Sequence, residues 1–532
     1  MRSFAANEVG DIFDNMLIRG DNLLGLKALE QEFAGKVKCV YIDPPFNTGD
    51  MFENYDDGLE HSIWLSQMRD RFELFHRLLS NDGSIFVHLN DDELDYCKIL
   101  LDEKFMRKNF VNRITVSARS PSAFSTVNPG VFKASEYLLW FAKDRSVFKE
   151  NGGRVTRSPD YAYNKWIENP DESYDRWKLV SLTNAYEKSP QPRSKRPDTM
   201  LEHFNKFIVQ NASRICRLAA ISDSGAGEAI VDLKKKSQQR PGKIFLLERD
   251  GGLDPVYVLD GQQLIFYSKN VVAIDGELRA SRLMTNIWDD IAWEGIAGEG
   301  NVTFRKGKKP ERLIRRVLDL ATNPGDLVLD SFLGSGTTAA VAHKMGRRWI
   351  GIELGEHCET HCLPRLKKVV DGEDSGGITA AVGWKGGGGF RYYRLAPSLL
   401  EKDKWDNWVV SKEYNAAMLA EAVCKLEGFS YEPSDSLYWQ HGHSTERDFL
   451  YTTTANLSHD QLQELSDEVG PERSLLVVCS AFRGRKEGYP NLTVKKIPNA
   501  VLTRCEWGKD DYSLKVENLP KAPPPPGQQE LF

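Results

Sequence analysis

The sequence predicts an α/β protein with a Rossmann-like, doubly wound sheet, a region inserted into that sheet, and a smaller α/β or α+β domain after it. The first observation is a set of four apolar runs with the length and composition of buried parallel strands, at residues 37–43, 83–89, 326–332 and 348–354. The second is a helical pattern beside each pair of runs. The third is length, because 532 residues exceed the size at which a single core stops growing.

Both helical patterns carry their own stop signals. In "HSIWLSQMRDRFELFHRLL", residues 61–79, apolar side chains recur at helical intervals until "SNDG" follows. The Ala-rich stretch "TTAAVAHKM", residues 337–345, ends at Gly346, a residue type that commonly terminates helices. Strand, turn, helix and strand at this spacing predict the alternation of a doubly wound sheet.

The two pairs of strands lie far apart in the chain, so we expect one sheet built from both. The region between them is richer in Arg, Lys, Ser, Asn, Tyr and Trp, and its periodicity is weaker. The predicted divisions are a first core half at 1–115, an inserted region at 116–300, a second core half at 301–370, a C-terminal domain at 371–520 and a flexible Pro-rich tail at 521–532.

Composition excludes several classes of protein. Hydrophobic residues make up 41% and charged residues 27%, which is typical of soluble globular proteins, and no apolar run approaches the ~18 residues of a membrane span. The N-terminus carries acids and no apolar core, so a signal peptide is not expected. Eight scattered cysteines favour a reducing, cytoplasmic location. The cluster "EHCETHC", residues 356–362, has no second ligand pair elsewhere, so no metal is expected.

Charge is unevenly distributed. The net charge of −6 by itself argues against a nucleic-acid partner. Residues 188–243, however, carry 12 Lys or Arg against 5 Asp or Glu, and residues 305–316 carry seven positive charges against one negative. A basic patch on an acidic protein is the pattern expected for contact with phosphates. Ordinary solvated loops and faces are the alternative for either run.

The stretch "VLDSFLGSGTTAAVA" predicts a ligand-binding turn. A strand ends at Asp330, a turn carries Gly334 and Gly336, and a helix follows, so main-chain N–H groups face the carboxyl edge of the sheet. A dinucleotide fingerprint, a phosphate cradle and a tight connection all fit; a P-loop does not, because no Gly-Lys-Ser/Thr follows. Glu353 ends the next strand, where an acid commonly accepts both hydroxyls of a ribose. Together these features indicate an adenosine-containing cofactor, with NAD still open.

The stretch "YIDPPFNTGD", residues 41–50, predicts a site for a planar amine. The strand delivers Asp43 to the same edge, and two prolines remove N–H donors while their carbonyls remain as acceptors. An acid, a neighbouring carbonyl and the ring of Phe46 can grip an NH₂ group and stack on its ring. Because the lone pair of an exocyclic amine is delocalised, holding both hydrogens out of plane favours alkylation. The alternative is a structural turn at a strand end.

These motifs resemble those of a known family. "DPPFNTG" is similar to the catalytic motif of amino-group DNA methyltransferases, and "LDSFLGSGTTAAVAHKMGRRWIGIEL" to their S-adenosylmethionine motif. The catalytic motif precedes the cofactor motif, a circularly permuted order typical of the β class, which includes the modification subunits of type III restriction systems. Four further stretches agree: "IRGDNLLGL", "DGSIFVHLNDDE", "FKASEYLLWFAK" and "KKPERLIRRVLDLATNPGD".

For the substrate, the resemblance implies that Asp43 and the Pro44 carbonyl hold N6 of a flipped adenine. Pro45 completes the motif, and Phe46 stacks on the base where the family more often has Tyr, so only a phenol hydroxyl is lost. Asp rather than Ser at position 43 favours adenine over N4-cytosine.

For the cofactor, the resemblance implies residues around the methionine part, an acid on the ribose and an acid near the adenine. The acid on the ribose is Glu353, and the acid near the adenine is Asp21. The residues around the methionine part are Asp330, Phe332, Gly334, Gly336 and Thr337. Lys309 and Pro310 match the motif that precedes the cofactor strand.

The sequence therefore predicts a site-specific DNA methyltransferase that transfers methyl from S-adenosylmethionine to N6 of a flipped-out adenine, in a restriction-modification or phage-defence context. Alternatives are an N4-cytosine DNA methyltransferase and a non-catalytic methyltransferase-like DNA-binding subunit. A dehydrogenase would leave Asp-Pro-Pro-Phe unused, and an RNA or protein methyltransferase would more often have Asn at position 43.

Double-stranded DNA is the expected partner, with residues 116–300 as the target reader. A second copy of the chain and a restriction nuclease subunit are further candidates. "QQELF", residues 528–532, resembles Gln-x-x-Leu-Phe peptides that bind bacterial sliding clamps. The alternative for this tail is a frayed terminus.

Overall fold

The chain forms two compact units, residues Met1–Tyr393 and Arg394–Phe532. The computed structural model describes residues 2–5, 15–46, 61–119, 131–190, 196–274, 276–293, 295–304, 307–396, 399–402, 407–412, 414–483 and 488–497. The predictions for the tail at 521–532 and for "QQELF" lie outside the described residues. In the described ranges, no helix combines the length and apolarity that a bilayer crossing requires.

The first unit contains nineteen strands and ten α-helices among its described residues. The strands are β1 (Arg2–Ala5), β2 (Met16–Arg19), β3 (Val37–Ile42), β4 (Leu79–Leu89), β5 (Phe110–Ser117), β6 (Ser135–Ala142), β7 (Arg154–Thr156), β8 (Lys165–Ile167), β9 (Leu179–Ser181), β10 (Ile215–Ala220), β11 (Ile244–Leu247), β12 (Val256–Leu259), β13 (Gln262–Phe266), β14 (Val271–Ile274), β15 (Glu277–Leu283), β16 (Ile287–Trp288), β17 (Leu327–Asp330), β18 (Arg348–Glu353) and β19 (Gly389–Arg394). The helices are α1 (Asn22–Phe33), α2 (His61–Leu78), α3 (Asp91–Phe105), α4 (Leu182–Lys188), α5 (Pro197–Gln210), α6 (Glu228–Gln238), α7 (Glu311–Ala321), α8 (Thr337–Lys344), α9 (Leu363–Asp371) and α10 (Thr379–Val382).

Ten strands form the main sheet, in the order β1-β19-β2-β18-β17-β3-β4-β6-β5-β16. Its five central strands, β2, β18, β17, β3 and β4, are parallel. Cys39 of β3 pairs with Val328 of β17, so strands from opposite ends of the unit are direct neighbours. The predicted doubly wound α/β fold, its four strands and its two helices are confirmed. Because the central strands are parallel, their carboxyl ends meet at one edge.

Apolar helix faces cover this sheet. In α7 the side chains of Leu313, Ile314, Val317 and Leu318 are fully buried, at the i, i+1, i+4 and i+5 spacing of one helix face. They share a core with β3, β17 and the Ala-rich helix α8. This packing fixes the segment just before α7 against the carboxyl edge of the sheet.

The predicted divisions differ from the structure at two points. Strand β6 lies within the predicted insertion, yet it pairs with β4 in the main sheet, with Leu138 opposite His88. Strand β19 lies beyond residue 370, in a Gly-rich stretch, and pairs with β1. Strand β6 is an apolar run, but it lies next to β5 and β4 rather than in the inserted region, and β19 mixes polar and apolar residues, so its pattern is weaker than that of the central strands.

Between β6 and β16 the chain forms two further sheets. One has six strands in the order β11-β12-β13-β10-β8-β9, and the other has three, β14-β15-β7. Aromatic residues dominate the core beside α5, where Trp166 stacks on Phe207 with ring centroids 5.2 Å apart.

The second unit contains seven strands and two helices among its described residues. They are β20 (Leu400–Lys402), β21 (Trp408–Val410), α11 (Ala416–Glu427), β22 (Ser430–Tyr431), β23 (Gly442–His443), β24 (Asp448–Leu457), α12 (His459–Val469), β25 (Ser474–Phe482) and β26 (Leu492–Lys496). Strands β24, β25 and β26 are parallel, and α12 connects the first two. Ser458 and Gln461 form a reciprocal capping box at the start of α12.

Candidate active site

The turn after β3 is held from both sides. Asp43 leaves the carboxyl end of β3, and Pro44 is buried behind it. The indole Nε1 of Trp64, a buried residue of α2, donates to the Pro45 carbonyl at 2.8 Å. Two fixed proline φ angles and this bond leave the turn little freedom. The Asp43 side chain is 19% exposed, so it faces an opening rather than solvent.

Lys309 lies at the centre of this corner. Its Nζ is 3.2 Å from Asp43 Oδ1 and 3.1 Å from Glu136 Oε2. The same ammonium lies 4.5 Å from the centroid of the Phe46 ring. Lys309 is only 6% exposed, so the positive charge is almost wholly compensated by protein groups.

Two more residues continue the contact chain behind Lys309. His88 Nε2 lies 2.9 Å from Glu136 Oε2. The other ring nitrogen, Nδ1, shares a hydrogen bond of 2.8 Å with the Tyr41 hydroxyl. We call Tyr41, His88, Glu136, Lys309 and Asp43 the lysine network. It connects β3, β4 and β6 with the segment before α7.

Burial and charge act against each other in the lysine network. Burial raises the pKa of Asp43, and the positive charges of Lys309 and His88 offset only part of that rise. Burial also disfavours ionisation of Glu136, but Lys309 and His88 outweigh it, so the pKa of Glu136 is lowered. Burial alone would lower the pKa of Lys309, yet the two carboxylates outweigh it and raise that pKa. Lys309 is therefore a cation at neutral pH.

The sequence does not indicate the roles of His88, Glu136 and Trp64. Glu136 left a signal, because it is a single acid at the start of the apolar strand "SEYLLWFA", and a buried acid requires a partner. Nothing in the sequence identifies that partner as Lys309.

Asp330 is the last residue of β17, the strand that pairs with β3. It is 3% exposed, and its Oδ1 accepts from Phe332 N at 2.9 Å. Burial raises the pKa of Asp330 to about 7, although the Thr338 hydroxyl and the Phe332 N–H oppose the rise. An acid of this kind changes charge near neutral pH.

The glycine turn after β17 has the left-handed backbone that its residue types allow. Gly334 has φ +56° and Gly336 has φ +80°. The Gly334 N–H donates to Glu353 Oε2 at 2.6 Å, and the Cys362 thiol donates to the Gly334 carbonyl at 3.0 Å. The turn is thus fixed by β18 and by the helical turn after it.

Glu353 serves this turn directly. Its Oε1 accepts from Gly355 N at 3.1 Å and lies 2.9 Å from His357 Nε2. A carboxylate has roughly four acceptor positions, so these contacts leave limited capacity for a ribose. The ribose role of Glu353 stays a prediction.

A second set of buried charges supports the turn from behind. Arg365 donates to Thr337 Oγ1 and to Glu311 Oε1, both at 2.8 Å. Lys344 lies 2.8 Å from Glu311 and 2.8 Å from Asp374. We call Glu311, Lys344, Arg365 and Asp374 the support cluster; all four side chains are 0% exposed. Thr337, predicted to contact a cofactor, thus has its hydroxyl bound to this cluster.

The start of α1 also contacts the turn after β17. Asp21 caps α1 by accepting from Leu24 N at 3.1 Å. The next residue, Asn22, donates to the Ser331 carbonyl at 2.9 Å and accepts from Arg71 Nε at 2.7 Å. Asp21 therefore lies next to the residue that contacts the turn after β17, and its place near a cofactor adenine stays a prediction.

The structure corrects the interpretation of one basic run. Of the described residues in 305–316, Lys308 and Lys309 are buried, and Arg316 forms a two-bonded ion pair with Asp290. The prediction that this run contacts phosphates is wrong for these three residues, because their charged groups are bound by protein partners: carboxylates for Lys309 and Arg316, and main-chain carbonyls for Lys308. It stays a prediction for Arg312, which is exposed.

The chain matches the family model described as DNA methylase over residues 37–361. It is 36% identical over 411 residues to the probable type III restriction-modification enzyme HindVI Mod subunit of Haemophilus influenzae, covering 72% of this chain and 54% of that protein. It is 55% identical over 350 residues to the DNA adenine methyltransferase YhdJ of Escherichia coli, covering 66% and 82%. Identity to the type II methyltransferase M.EcaI of Enterobacter cloacae is 27% over 366 residues, covering 65% and 68%. The chain spans about half of the length of the type III Mod subunits it matches.

Proposed function

This chain belongs to the DNA methylase family, and from that premise we propose that it transfers a methyl group from S-adenosylmethionine to N6 of adenine at specific sites in DNA. One observation carries the proposal. The turn of Asp43 and the glycine turn at residues 331–336 follow neighbouring parallel strands, β3 and β17, so an amine acceptor site and a cofactor site share one sheet edge.

The Asp43 turn suits the NH₂ group of a base. Asp43 Oδ1 is buried and has no hydrogen-bond partner among the residues that the structure describes. This oxygen and the Pro44 carbonyl can accept the two amine hydrogens, while the Phe46 ring stacks on the base. Taking both hydrogens out of the ring plane returns the lone pair to nitrogen. Extruding the base from a duplex costs a few kcal/mol, which stacking helps to offset.

The cofactor side suits a cationic adenosine derivative. When bound, S-adenosylmethionine supplies an electrophilic methyl group on a positively charged sulfur. The residues proposed to hold it are Asp21, Asp330, Phe332, Gly334, Gly336, Thr337 and Glu353. Two features of the structure fit such a group: the Ser331 hydroxyl is buried without a hydrogen-bond partner in the described ranges, and two buried acids, Asp330 and Glu353, end the neighbouring strands β17 and β18.

The residues of this chain then contribute alignment and charge. Asp43 acts as a hydrogen-bond acceptor in the ground state rather than as a strong base. Once the amine has been alkylated, its nitrogen carries positive charge and becomes acidic, so the proton can leave through Asp43. A carboxylate whose pKa is raised by burial accepts a proton more readily than an exposed one.

Adenine is proposed over cytosine for two reasons. Position 43 carries Asp rather than Ser, and the relative at 55% identity is named a DNA adenine methyltransferase. Methylation of N4 of cytosine is the second candidate, because both bases present an exocyclic amine.

The inserted region is proposed as the target reader. Its strongly basic run includes exposed Lys235, Lys236, Arg240 and Lys243, at and beyond the C-terminal end of α6. Exposed cations of this kind contact phosphates, whereas sequence is read by other groups at base edges. Exchanging residues 143–286 for the matching region of a relative should change the methylated sequence. An unchanged sequence would remove this assignment.

Partners beyond DNA are also proposals. The names of the type III Mod relatives support a restriction subunit as a partner, and a second copy of the chain is a further candidate. For the tail, deleting residues 528–532 and measuring retention on a sliding-clamp column tests the clamp prediction.

The test of the function uses DNA from cells that lack N6-methyladenine and express either the wild type or Asp43→Ala. We expect N6-methyladenine, detected by mass spectrometry and mapped by methylation-sensitive sequencing, from the wild type only. Calorimetry should find S-adenosylmethionine binding in both proteins. N4-methylcytosine instead would favour the second candidate, and equal N6-methyladenine from both would overturn the role of Asp43.

A further inference from the structure

The ammonium of Lys309 lies where the proposed function requires an amine. It is within ion-pair distance of Asp43 Oδ1, at 3.2 Å, and it lies over the Phe46 ring at 4.5 Å. These are the two contacts that the base would make, one to its NH₂ group and one to its ring face. A lysine ammonium is similar in size to an amino group, so it can lie beside Asp43 where the amine of the base would lie, although its contact with Oδ1 is one of charge.

The two carboxylates do not hold Lys309 equally. Nζ donates a hydrogen bond to Glu136 Oε2 at 3.1 Å, whereas its contact with Asp43 Oδ1 lacks hydrogen-bond geometry. Glu136 is in turn 2.9 Å from His88, which is bonded to Tyr41. The ammonium is therefore anchored on the Glu136 side and only attracted by charge on the Asp43 side.

We propose that Lys309 takes the place of the target amine while the pocket holds no base, and that Glu136 keeps the ammonium when the base displaces it from Asp43. This inference rests on the proposed function. Lys309 is thus a positioning residue: its charge favours the ionised form of Asp43, and it moves away from Oδ1 when a competing donor arrives.

Retention by Glu136 also has an electrostatic role. The amine nitrogen gains positive charge as it is alkylated, and an ammonium beside Asp43 would oppose that change. If the ammonium stays with Glu136, its charge is paired away from the reacting nitrogen. Among the described residues, the other charged or titratable groups around Asp43 are His88 from β4, Tyr41 from β3 and Asp330 from β17.

The test measures kcat/KM for methyl transfer to DNA as a function of pH in Lys309→Met, Glu136→Gln and a control variant. The fall of kcat/KM on the acid side of the profile, here called the acid limb, reports ionisation in the free enzyme. Activity needs ionised Asp43, so it falls as pH drops through the pKa of Asp43. In Lys309→Met, burial of Asp43 is no longer offset, and the limb should move to higher pH. In Glu136→Gln, Lys309 pairs with Asp43 alone, and the limb should move to lower pH.

Binding of DNA that carries the methylated sequence separates competition from simple damage. Above the acid limb, Lys309→Met should bind such a duplex several-fold more tightly, because no ammonium competes with the base. Glu136→Gln should bind it several-fold more weakly. Lys308→Met is the matched control, since it makes the same charge change one residue away; Lys308 bonds the Val302 carbonyl and not Asp43, so its limb should stay in place.

The results separate failure of this inference from failure of the proposed function. If wild type leaves DNA unmethylated, the proposed function fails. If wild type methylates DNA but the limbs of Lys309→Met and Glu136→Gln move in the same direction, or stay where they are, the placeholder role of Lys309 is overturned. Should Lys309→Met not fold, Lys309→Arg replaces it: the charge is kept, so the limb should stay, while the larger donor should weaken DNA binding.

Discussion

The segment "KKPE", residues 308–311, contributes to two buried charge clusters of opposite character. Glu311 belongs to the support cluster, where two acids meet two bases and no side chain is exposed. Lys309 belongs to the lysine network, where one lysine is shared by two carboxylates and the Asp43 side chain is 19% exposed. The paired charges of the support cluster hold the backbone around them in place. In the lysine network two carboxylates share one lysine beside an opening, so Asp43 can still accept a hydrogen bond from a ligand.

The support cluster and the lysine network also differ in how far their carboxylates are hydrogen-bonded. Glu311 accepts from Arg365, from Lys344 and from Ile378 N at distances of 2.8 to 3.0 Å. Asp43 Oδ1 has no such bond within the described residues. Breaking a satisfied buried pair is costly, whereas an unsatisfied acid already lowers stability for the benefit of function. The comparison therefore predicts opposite outcomes for substitutions in the two clusters.

The largest effect is expected for Glu311→Ala. The variant leaves Lys344 and Arg365 without their shared acceptor inside the protein, which should lower the free energy of unfolding by ~3–5 kcal/mol. Urea denaturation measures this. Arg312→Ala, an exposed neighbour on α7, is the control and should change stability by less than ~0.5 kcal/mol. Equal midpoints for Glu311→Ala and wild type would mean that the support cluster does not hold the fold.

The second largest effect is expected for Asp330→Asn, and it concerns how stability depends on pH. The pKa of Asp330 is about 7 in the fold against 3.8 for the free acid, so the folded state holds this proton more tightly than the unfolded state. Wild-type stability should therefore fall as pH rises from about 4 to 7, by ~1.4 kcal/mol per pKa unit and a few kcal/mol in all. The variant lacks this loss. Thermal melts should find it stabilised relative to wild type at pH 8 and not at pH 4; a gain of equal size at both values would contradict the raised pKa.

Phe46 should affect activity without affecting the fold. Stacking of a base on an aromatic ring contributes ~1–3 kcal/mol, so Phe46→Ala should lower kcat/KM for DNA roughly tenfold to a hundredfold. Phe46→Tyr keeps the ring and should retain activity. Labelled methyl transfer measures both variants, and equal losses in the two would exclude stacking as the role of this ring.

The smallest effect is expected for Trp64→Phe. This variant removes the hydrogen bond to the Pro45 carbonyl, worth ~1 kcal/mol, and should lower kcat a few-fold by loosening the Asp43 turn. Trp140→Phe is a matched control, because Trp140 is equally buried and its indole nitrogen has no hydrogen-bond partner among the described residues. A similar fall in kcat for both variants would attribute the effect to lost volume.

Much of the candidate site could be predicted because its signals are local. Strands β3 and β17 are continuous apolar runs, and Asp43 and Asp330 follow directly from where those runs end. The glycine turn is encoded by the φ values that only glycine adopts readily. These features need no knowledge of what lies next to them.

The lysine network could not be predicted in the same way. Glu136 and Lys309 lie in different segments, and a buried charge in a sequence indicates that a partner exists without indicating which one. Lys309 in the basic run at 305–316 shows the difficulty: a lysine that neutralises an internal acid has the same sequence pattern as one that contacts phosphate. Only the packing of α7 against the sheet separates the two.

The pairing of β3 with β17 also sets an order of events on the ribosome. β3 can join β4 soon after both emerge, but its other neighbour is among the last parts of the first unit to be translated. Until then one side of β3 carries unpaired main-chain groups that are open to wrong partners, a period in which chaperones would be most useful. A nascent chain that stops before β17 carries Asp43 without the adjoining glycine turn, so it lacks half of the proposed site.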